Sequence, residues 1–202
     1  ATDNLLFYTT CGWMMWNWLV SGLSVGATIV SYDGAPFRHK KILYDLIDEL
    51  GITHFGVGAK FIESSEKFNI LPRKTHSLAS LKCILTTGSS LLANSFDYIY
   101  RDIKPEIRVS SISGGSDIIS CFALGNPILP VYRNELQCLG LGMDVHVFDD
   151  DGHAVIDQQG ELVCTSAFPS RPICFWNDAD GTRYFEAYYN QFPGVWTHGD
   201  YA

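Results

Sequence analysis

The sequence predicts an α/β fold in which a parallel sheet covered by helices is followed by a mostly β, barrel-like segment. The first observation behind this prediction is the alternation of strand-like and helix-like segments over residues 1–126. The second is that these strands are almost continuously apolar, which is typical of parallel strands buried on both faces. The third is a change of character after residue 126, where short strands begin to alternate with polar turns. We therefore predict two partial subdomains, residues 1–126 and 127–202.

The uncharged stretch at residues 4–32 is long enough to cross a lipid bilayer. It nevertheless contains polar residues such as Asn17, and no cluster of Lys or Arg flanks it. Residues 13–23 have the character of a buried helix and residues 27–32 that of a buried strand. We therefore predict a helix followed by a strand, and no membrane span. The first ten residues carry neither an initiator Met nor the basic start of a signal peptide, so we expect an interior piece of a longer protein.

The next helix is predicted at residues 40–51, where apolar residues repeat along one face and Gly51 supplies the stop signal. The first subdomain then continues with a strand at 52–58, a helix at 59–70, a loop at 71–80, a strand at 81–88, a helix at 89–103 and a strand at 106–113. In the second subdomain, short strands are expected within 143–156, 160–166 and 171–189, with hairpin turns at 149–153 and 178–181.

Charge and cysteine content narrow the class of protein. The net charge of −8 and the pI of about 5.1 are the opposite of the basic surface that nucleic-acid-binding proteins present. The cysteines are widely spaced, and most lie between apolar residues; they are Cys11, Cys83, Cys121, Cys138, Cys164 and Cys174. We interpret them as reduced, buried thiols of a cytosolic protein, although disulfides remain an alternative. Their spacing does not suit a zinc site.

Two polar loops follow predicted parallel strands, at residues 86–90 and 111–117. Ligands of parallel α/β sheets bind at the carboxyl ends of the strands. In the second loop, Ser116 and Asp117 stand behind two glycines, and a hydroxyl beside a carboxylate suits a phosphate that is bound with a divalent metal ion. The alternative is a glycine turn in which Asp117 caps a helix over residues 118–122.

The loop at residues 86–90 and the segment WTHGDY at residues 196–201 are two further candidates. The backbone of the first could meet a purine edge or a phosphate, or Ser89 or Ser90 could cap the following helix. In the second, the two carboxylate oxygens of Asp200 could accept hydrogen bonds from both hydroxyls of a ribose, or the segment could be an ordinary surface turn. The sequence lacks the nucleophile elbow, phosphate-loop and dinucleotide motifs, which argues against those classes of enzyme.

Six segments in series resemble the acyl-adenylate-forming superfamily of AMP-forming acyl-CoA synthetases, and the resemblance covers essentially the whole chain. The segments are TTCGWMMWNWLVSG, ISGGSDIISCF, LPVYRNELQCLGLGM, GELVC, FWND and FPGVWTHGDY. Within this superfamily, the resemblance is greatest to the members that activate acetoacetate. The chain would then be part of a larger N-terminal domain, and its first subdomain would be the nucleotide-binding one.

The resemblance implies a two-step ligase. ATP and a carboxylic acid, here acetoacetate, give acyl-AMP and pyrophosphate, and the thiol of coenzyme A then displaces AMP. The implied small-molecule partners and cofactors are ATP, Mg²⁺, acetoacetate and coenzyme A, with no nucleic acid; the oligomeric state stays open. The family's phosphate loop and adenylation lysine are expected outside this chain, which alone should be inactive. A non-catalytic nucleotide-binding module, or a ligase for another short acid, is the alternative.

The same resemblance assigns the nucleotide site residue by residue. The adenine would be lined by Gly88, Ser89 and Ser90, and the nucleotide motif would comprise Ser111, Ile112, Ser113, Gly114, Gly115 and Ser116. Ser116 would lie near the α-phosphate and Asp117 would hold Mg²⁺, both as catalytic residues, while Asp200 would bind the ribose. Where the family usually has Thr-Glu this chain has Ser-Asp, so water could mediate the metal contact of the shorter acid. His198 stands where the family usually has Thr. We expect the three loops to converge on one AMP.

The acyl pocket is assigned by resemblance to Trp13, Met14, Met15 and Gly114. Related acetate-activating enzymes have a Trp where Gly114 aligns, which closes the pocket behind a methyl group. We therefore hypothesise that Gly114 leaves room for the acetoacetyl group. For the tryptophan-rich segment at residues 13–18, plain core packing is the alternative.

Overall fold

The computed structural model describes residues 2–202, and the chain divides into two compact units after Cys138. The division after residue 126 rests on the change of sequence character, and it stays a prediction.

The first unit contains a five-stranded sheet in which every strand pair is parallel, which confirms the predicted fold class. Its strands are β1 (Asn4–Phe7), β2 (Thr28–Val30), β3 (His54–Gly58), β4 (Cys83–Thr87) and β5 (Arg108–Ser111), in the spatial order β2-β1-β3-β4-β5. No local pattern in the sequence singled out β1. A four-residue apolar run has no periodicity of its own, so its place between β2 and β3 depends on tertiary pairing.

Helices cover both faces of this sheet. They are α1 (Met14–Ser21), α2 (Ile42–Leu50), α3 (Ala59–Lys67) and α4 (Ala93–Tyr98), with short 3₁₀ segments at Gly22–Val25 and Pro72–Lys74. Because side chains alternate along a strand, Ile84 packs into the core formed with α2, α3 and α4, whereas Leu85 packs into the core that contains α1. The predicted helix at 89–103 begins later than expected, since residues 88–92 are not helical and Leu91 is buried. It ends in a π-helical turn at Ile99–Ile103.

The stretch at residues 4–32 is β1, α1 and β2 in succession, so the prediction of a buried helix and strand is confirmed. In the described part of the chain, no helix combines the length and apolar character needed to cross a bilayer.

A small three-stranded sheet follows β5. It contains β6 (Ser113–Gly115), β7 (Ser120–Leu124) and β8 (Cys138–Leu139), and β6 and β7 form an antiparallel hairpin. The alternative that Asp117 caps a helix over residues 118–122 is therefore wrong. A short apolar run such as this one fits a strand or a helix equally well by periodicity, and pairing with β6 decides between them.

The second unit is built on an antiparallel sheet. Its strands are β9 (Val145–Phe148), β10 (Ala154–Val155), β11 (Glu161–Cys164) and β12 (Trp196–Tyr201), in the spatial order β10-β9-β11-β12. The hairpin predicted at residues 149–153 is confirmed, with Gly152 at a φ of 80°.

The hairpin predicted at residues 178–181 is wrong, because helix α5 (Thr182–Tyr188) follows this turn. The carboxylate of Asp178 accepts hydrogen bonds from the backbone N–H groups of Arg183 at 3.1 Å and Tyr184 at 2.9 Å. These are first-turn donors that have no partner within the helix. The segment DADG is thus a helix start, a role that Asp and Gly fill as readily as a turn between strands.

The thiols are free, and they differ in burial. Cys83 and Cys164 are buried as predicted, and burial is the main cause that raises the pKa of each thiol. The prediction of burial is wrong for Cys174, which is exposed together with Cys11. The apolar neighbours of Cys174 misled the prediction, since Ile173 is itself 95% exposed.

Asp144 joins β9 to the segment after β11 and gives a prediction about acid stability. Its carboxylate accepts hydrogen bonds from Thr165 Oγ1 at 2.5 Å, Ser166 Oγ at 2.7 Å and His146 Nε2 at 3.1 Å. These bonds, led by that of Thr165, lower the pKa of Asp144 from 3.8 to about 2. A carboxyl group with a depressed folded-state pKa stabilises the fold above its unfolded value, and the contribution is lost as the pH falls through the folded one.

We therefore expect Asp144→Asn to unfold at lower urea concentration than the unchanged protein at pH 5–7, with a difference that shrinks as the pH falls from about 4 to about 2. Asp150→Asn is the matched control, because Asp150 is exposed and accepts no hydrogen bond within residues 2–202. A difference between Asp144→Asn and the unchanged protein that stays constant over this range would contradict the prediction.

Candidate functional site

The two polar loops of the first unit lie side by side at the carboxyl ends of β4 and β5. The backbone N–H of Ile112 donates to the carbonyl oxygen of Thr86 at 2.9 Å. The hydroxyl of Thr87 donates to the carbonyl oxygen of Ile112 at 3.0 Å. The structure thus joins the first residues of the loops at 86–90 and 111–117, at the edge where parallel sheets bind ligands. Thr87 was not singled out from the sequence, because its role depends on a contact with the neighbouring strand.

Gly88 forms the turn at the end of β4, in a left-handed conformation with a φ of 86°. A Cβ atom at this position would lie 3.5 Å from Cζ2 of Trp13, so the indole ring borders the turn directly. Trp13 also makes an edge-to-face contact with Phe7, and the two ring centroids are 5.8 Å apart. The predicted adenine loop and the predicted acyl wall are therefore neighbours.

Ser89 and Ser90 are exposed after this turn. The alternative that one of them caps the following helix is wrong, because the N-cap position of α4 is Leu92 and no side chain caps it. The two hydroxyl groups are accordingly available to a ligand.

The residues assigned to the acyl wall differ in burial. Met15 is 4% exposed and belongs to the core around Phe7 and Leu19. Trp13 and Met14 are only partly buried and pack against the same core, as does Ile112 of the nucleotide motif. Of the three, Trp13 and Met14 keep surface that a substrate could contact.

The hairpin β6–β7 carries the predicted phosphate site at its tip. Ser116 and Asp117 are exposed, whereas the next residue, Ile118, is fully buried and anchors the tip. Ile119 has a φ of 45°, a region that β-branched residues rarely adopt. Such strain is typical of functional sites. Within residues 2–202, Asp117 takes part in no hydrogen bond or ion pair, so its carboxylate is available to a cation.

Gly114 is required by the packing of the hairpin itself. A Cβ atom at this position would lie 2.2 Å from the carbonyl oxygen of Ser120 and 2.9 Å from the Cα atom of Cys121. The contact is with backbone, which cannot rotate away as a flexible side chain can. Any side chain at this position therefore forces the two strands to shift, whatever Gly114 does for a substrate.

The third candidate, Asp200, lies near the end of β12 in the second unit. It follows Gly199, whose φ is 85°, and its side chain is 60% exposed. The indole N–H of Trp196 donates to Nδ1 of His198 at 3.4 Å, which places the proton of a neutral imidazole on Nε2. That Nε2 atom lies 3.7 Å from Oδ2 of Asp200. The convergence of Asp200 with the two loops of the first unit stays a prediction.

No three His, Cys, Asp or Glu side chains in the described part of the chain are grouped closely enough to hold a metal ion. A lone carboxylate such as that of Asp117 still fits Mg²⁺, because this ion is commonly bound by one or two carboxylates together with substrate phosphates and water. The donor set thus fits a metal that arrives with a nucleotide.

The fold and the first unit's loops define the class: an α/β protein with a candidate ligand site at the carboxyl ends of its parallel strands. The chain is 51% identical over 203 residues to the acetoacetyl-CoA synthetase of Mus musculus, and 50% identical over 201 residues to the acetoacetyl-coenzyme A synthetase of Rhizobium meliloti. The matches cover 100% and 99% of this chain, but only 30% and 31% of the two relatives.

A solved structure gives the same result. The acetoacetyl-CoA synthetase from Streptomyces lividans matches with a TM-score of 0.94 and 42% identity, over 99% of this chain and 32% of that one. No family model matches the sequence. The chain is similar over its whole length to acetoacetyl-CoA synthetases and spans about a third of the length of the curated relatives it matches. The resemblance identified from the sequence is confirmed.

Proposed function

We propose that the protein carrying this chain is an AMP-forming ligase of acetoacetate and coenzyme A. In the first step, a carboxylate oxygen of acetoacetate attacks the α-phosphorus of ATP, and pyrophosphate leaves. In the second step, the thiol sulfur of coenzyme A attacks the carbonyl carbon of acetoacetyl-AMP, AMP leaves, and the thiol proton is released. The observation that carries the proposal is the identity of about half of all residues, along the whole chain, to proteins named for this reaction.

The two adjoining loops support a nucleotide site. The turn at Gly88, with the exposed hydroxyls of Ser89 and Ser90, would receive the adenine. The hairpin from Ser111 to Ser116 would present backbone N–H groups to the phosphates, and the Ser116 hydroxyl would donate to an α-phosphate oxygen. Donors held in place before the reaction stabilise the charge that develops on phosphorus without further reorganisation.

Asp117 would hold Mg²⁺ at the exposed tip of the hairpin, together with phosphate oxygens. When bound, the ion neutralises negative charge on the triphosphate. Asp200 would accept hydrogen bonds from the two ribose hydroxyls, one with each carboxylate oxygen.

The acyl group would lie against Trp13 and Met14, next to the adenine turn. Gly114 would border the same space from the hairpin. The absence of a side chain at this position supports an acid longer than acetate, and a ligase for another short oxo- or hydroxy-acid is the second candidate on the same observation. We propose a cytosolic location, which the free thiols support.

Pyrophosphate release by the complete protein tests the proposal. With ATP, Mg²⁺ and coenzyme A present, we expect acetoacetate to give the highest kcat/KM in a panel of acetate, propionate, butyrate, 3-hydroxybutyrate and acetoacetate. Preference for another acid would favour the second candidate. Release of no pyrophosphate with any acid, by a protein that still binds ATP, would support a nucleotide-binding module instead.

A further inference from the structure

The end of β12 contains an irregularity at the candidate ribose-binding residue. In the pairing of β11 with β12, Val163 lies opposite Thr197 and Glu161 lies opposite Tyr201. Two steps along β11 therefore correspond to four along β12, and the residues between Thr197 and Tyr201 form a bulge. Bulges re-aim side chains and are common beside active sites.

The carboxylate of Glu161 closes this bulge. Its Oε1 atom accepts a hydrogen bond from the backbone N–H of Gly199 at 2.7 Å, between residues 38 positions apart in the sequence. A bulged residue loses its ladder partner, so this N–H needs an acceptor from elsewhere. Because Gly199 is left-handed at a φ of 85°, the bond fixes a conformation that the chain would otherwise leave readily.

The bulge is held on both sides. Beyond it, the backbone groups of Gly160 and Ala202 exchange two hydrogen bonds, at 3.1 Å and 2.9 Å. Within it, the side chain of His198 is only 8% exposed, whereas that of Asp200 is 60% exposed. The two side chains nevertheless approach each other, with Nε2 of His198 3.7 Å from Oδ2 of Asp200. The conformation of Gly199 between them therefore helps to set where the exposed carboxylate of Asp200 points.

We propose that Glu161 is a positioning residue that acts through Gly199 to orient the carboxylate of Asp200 toward the ribose. This inference rests on the proposed function, because it takes the ribose contact of Asp200 as given. Glu161 itself touches no reacting atom. The sequence marked it only through the generic segment GEL, since its partner lies in a distant strand.

Discrimination between ATP and its 2′-deoxy and 3′-deoxy analogues tests the proposal in the complete protein. Asp200→Ala should abolish the preference for ATP in kcat/KM. Glu161→Ala should reduce the preference by about 5- to 10-fold, the effect of losing one well-placed hydrogen bond. Glu161→Gln keeps an oxygen acceptor and should retain most of the preference for ATP. Glu186→Ala, which removes an exposed carboxylate of α5, is the control and should leave the preference unchanged.

The outcomes distinguish the ribose assignment of Asp200 from the positioning role of Glu161. If Asp200→Ala retains the preference for ATP, the ribose assignment is wrong, and the role of Glu161 falls with it. If Asp200→Ala abolishes the preference but Glu161→Ala keeps it, only the positioning role is overturned. A merely structural Glu161 would lower activity with all three nucleotides equally. Should Glu161→Ala not fold, Glu161→Asp keeps the charge on a shorter side chain, and an unchanged preference in that variant would also overturn the proposal.

Discussion

Replacing Asp200 by alanine is expected to weaken ATP binding by about 1.5–3 kcal/mol for each ribose hydrogen bond that is lost. This corresponds to about 10- to 150-fold in affinity per bond. The carboxylate has two acceptor oxygens for the two ribose hydroxyls, and most of its surface is open to a ligand. Its sole described ion-pair neighbour within residues 2–202 is the imidazole of His198, 3.7 Å away, which leaves acceptor capacity on both oxygens.

Calorimetric titration of the complete protein with ATP and Mg²⁺ measures this effect. Asp200→Asn should retain part of the affinity, because the amide keeps one oxygen acceptor of nearly the same geometry. Asp150→Ala, at an exposed turn of the same unit, is the matched control for loss of one surface charge. An affinity for ATP that barely moves in Asp200→Ala would remove Asp200 from the ribose site.

The parallel sheet was predictable because most of its strands lie in largely apolar segments that alternate with amphipathic helices. Two of the elements that the sequence did not predict are strand β1 and helix α5. Strand β1 is four residues long and is recognisable only by its pairing with two neighbours. Helix α5 was hidden by an Asp-Gly turn in a region of short strands, although the same Asp178 caps its first turn. The pairing of β1 joins residues that are distant in the sequence, whereas the start of α5 is a local contact in a segment that also resembles a hairpin turn.

The candidate site likewise has parts that the sequence predicts and parts that depend on tertiary contacts. The polar loops at 86–90 and 111–117 were found from the sequence because glycines and hydroxyls directly after apolar strands have few structural uses. Their mutual contact follows from the parallel register of β4 and β5, which brings both strand ends to one edge. The hairpin at 113–124 was not predicted. It gives Gly114 a structural role, because a side chain there would collide with the backbone of the paired strand. The role of Glu161 depends on a bulge, which composition does not reveal.

Gly114→Trp is expected to have two separate effects that follow from different atoms of the new side chain. Its Cβ atom would meet the backbone of Ser120 at 2.2 Å, so the hairpin must shift. Overpacking of this kind costs about 1–3 kcal/mol of the free energy of unfolding. Its indole ring would fill the space proposed for the acyl chain and should move the preference toward acetate by about 10- to 200-fold for each methylene-sized step.

Gly114→Ala separates the two effects, because alanine imposes the same Cβ contact but fills no pocket. Both variants should therefore lose stability in urea unfolding of the complete protein, while only Gly114→Trp should change the ratio of kcat/KM for acetate and acetoacetate. Gly12→Ala is the control for stability, since a Cβ atom there would have its nearest neighbour at an ordinary 4.0 Å. If alanine alone shifts the preference as far as tryptophan does, the geometry of the hairpin selects the acid, and the space above Gly114 does not. If acetoacetate kinetics survive Gly114→Trp unchanged, Gly114 does not border the acyl group at all.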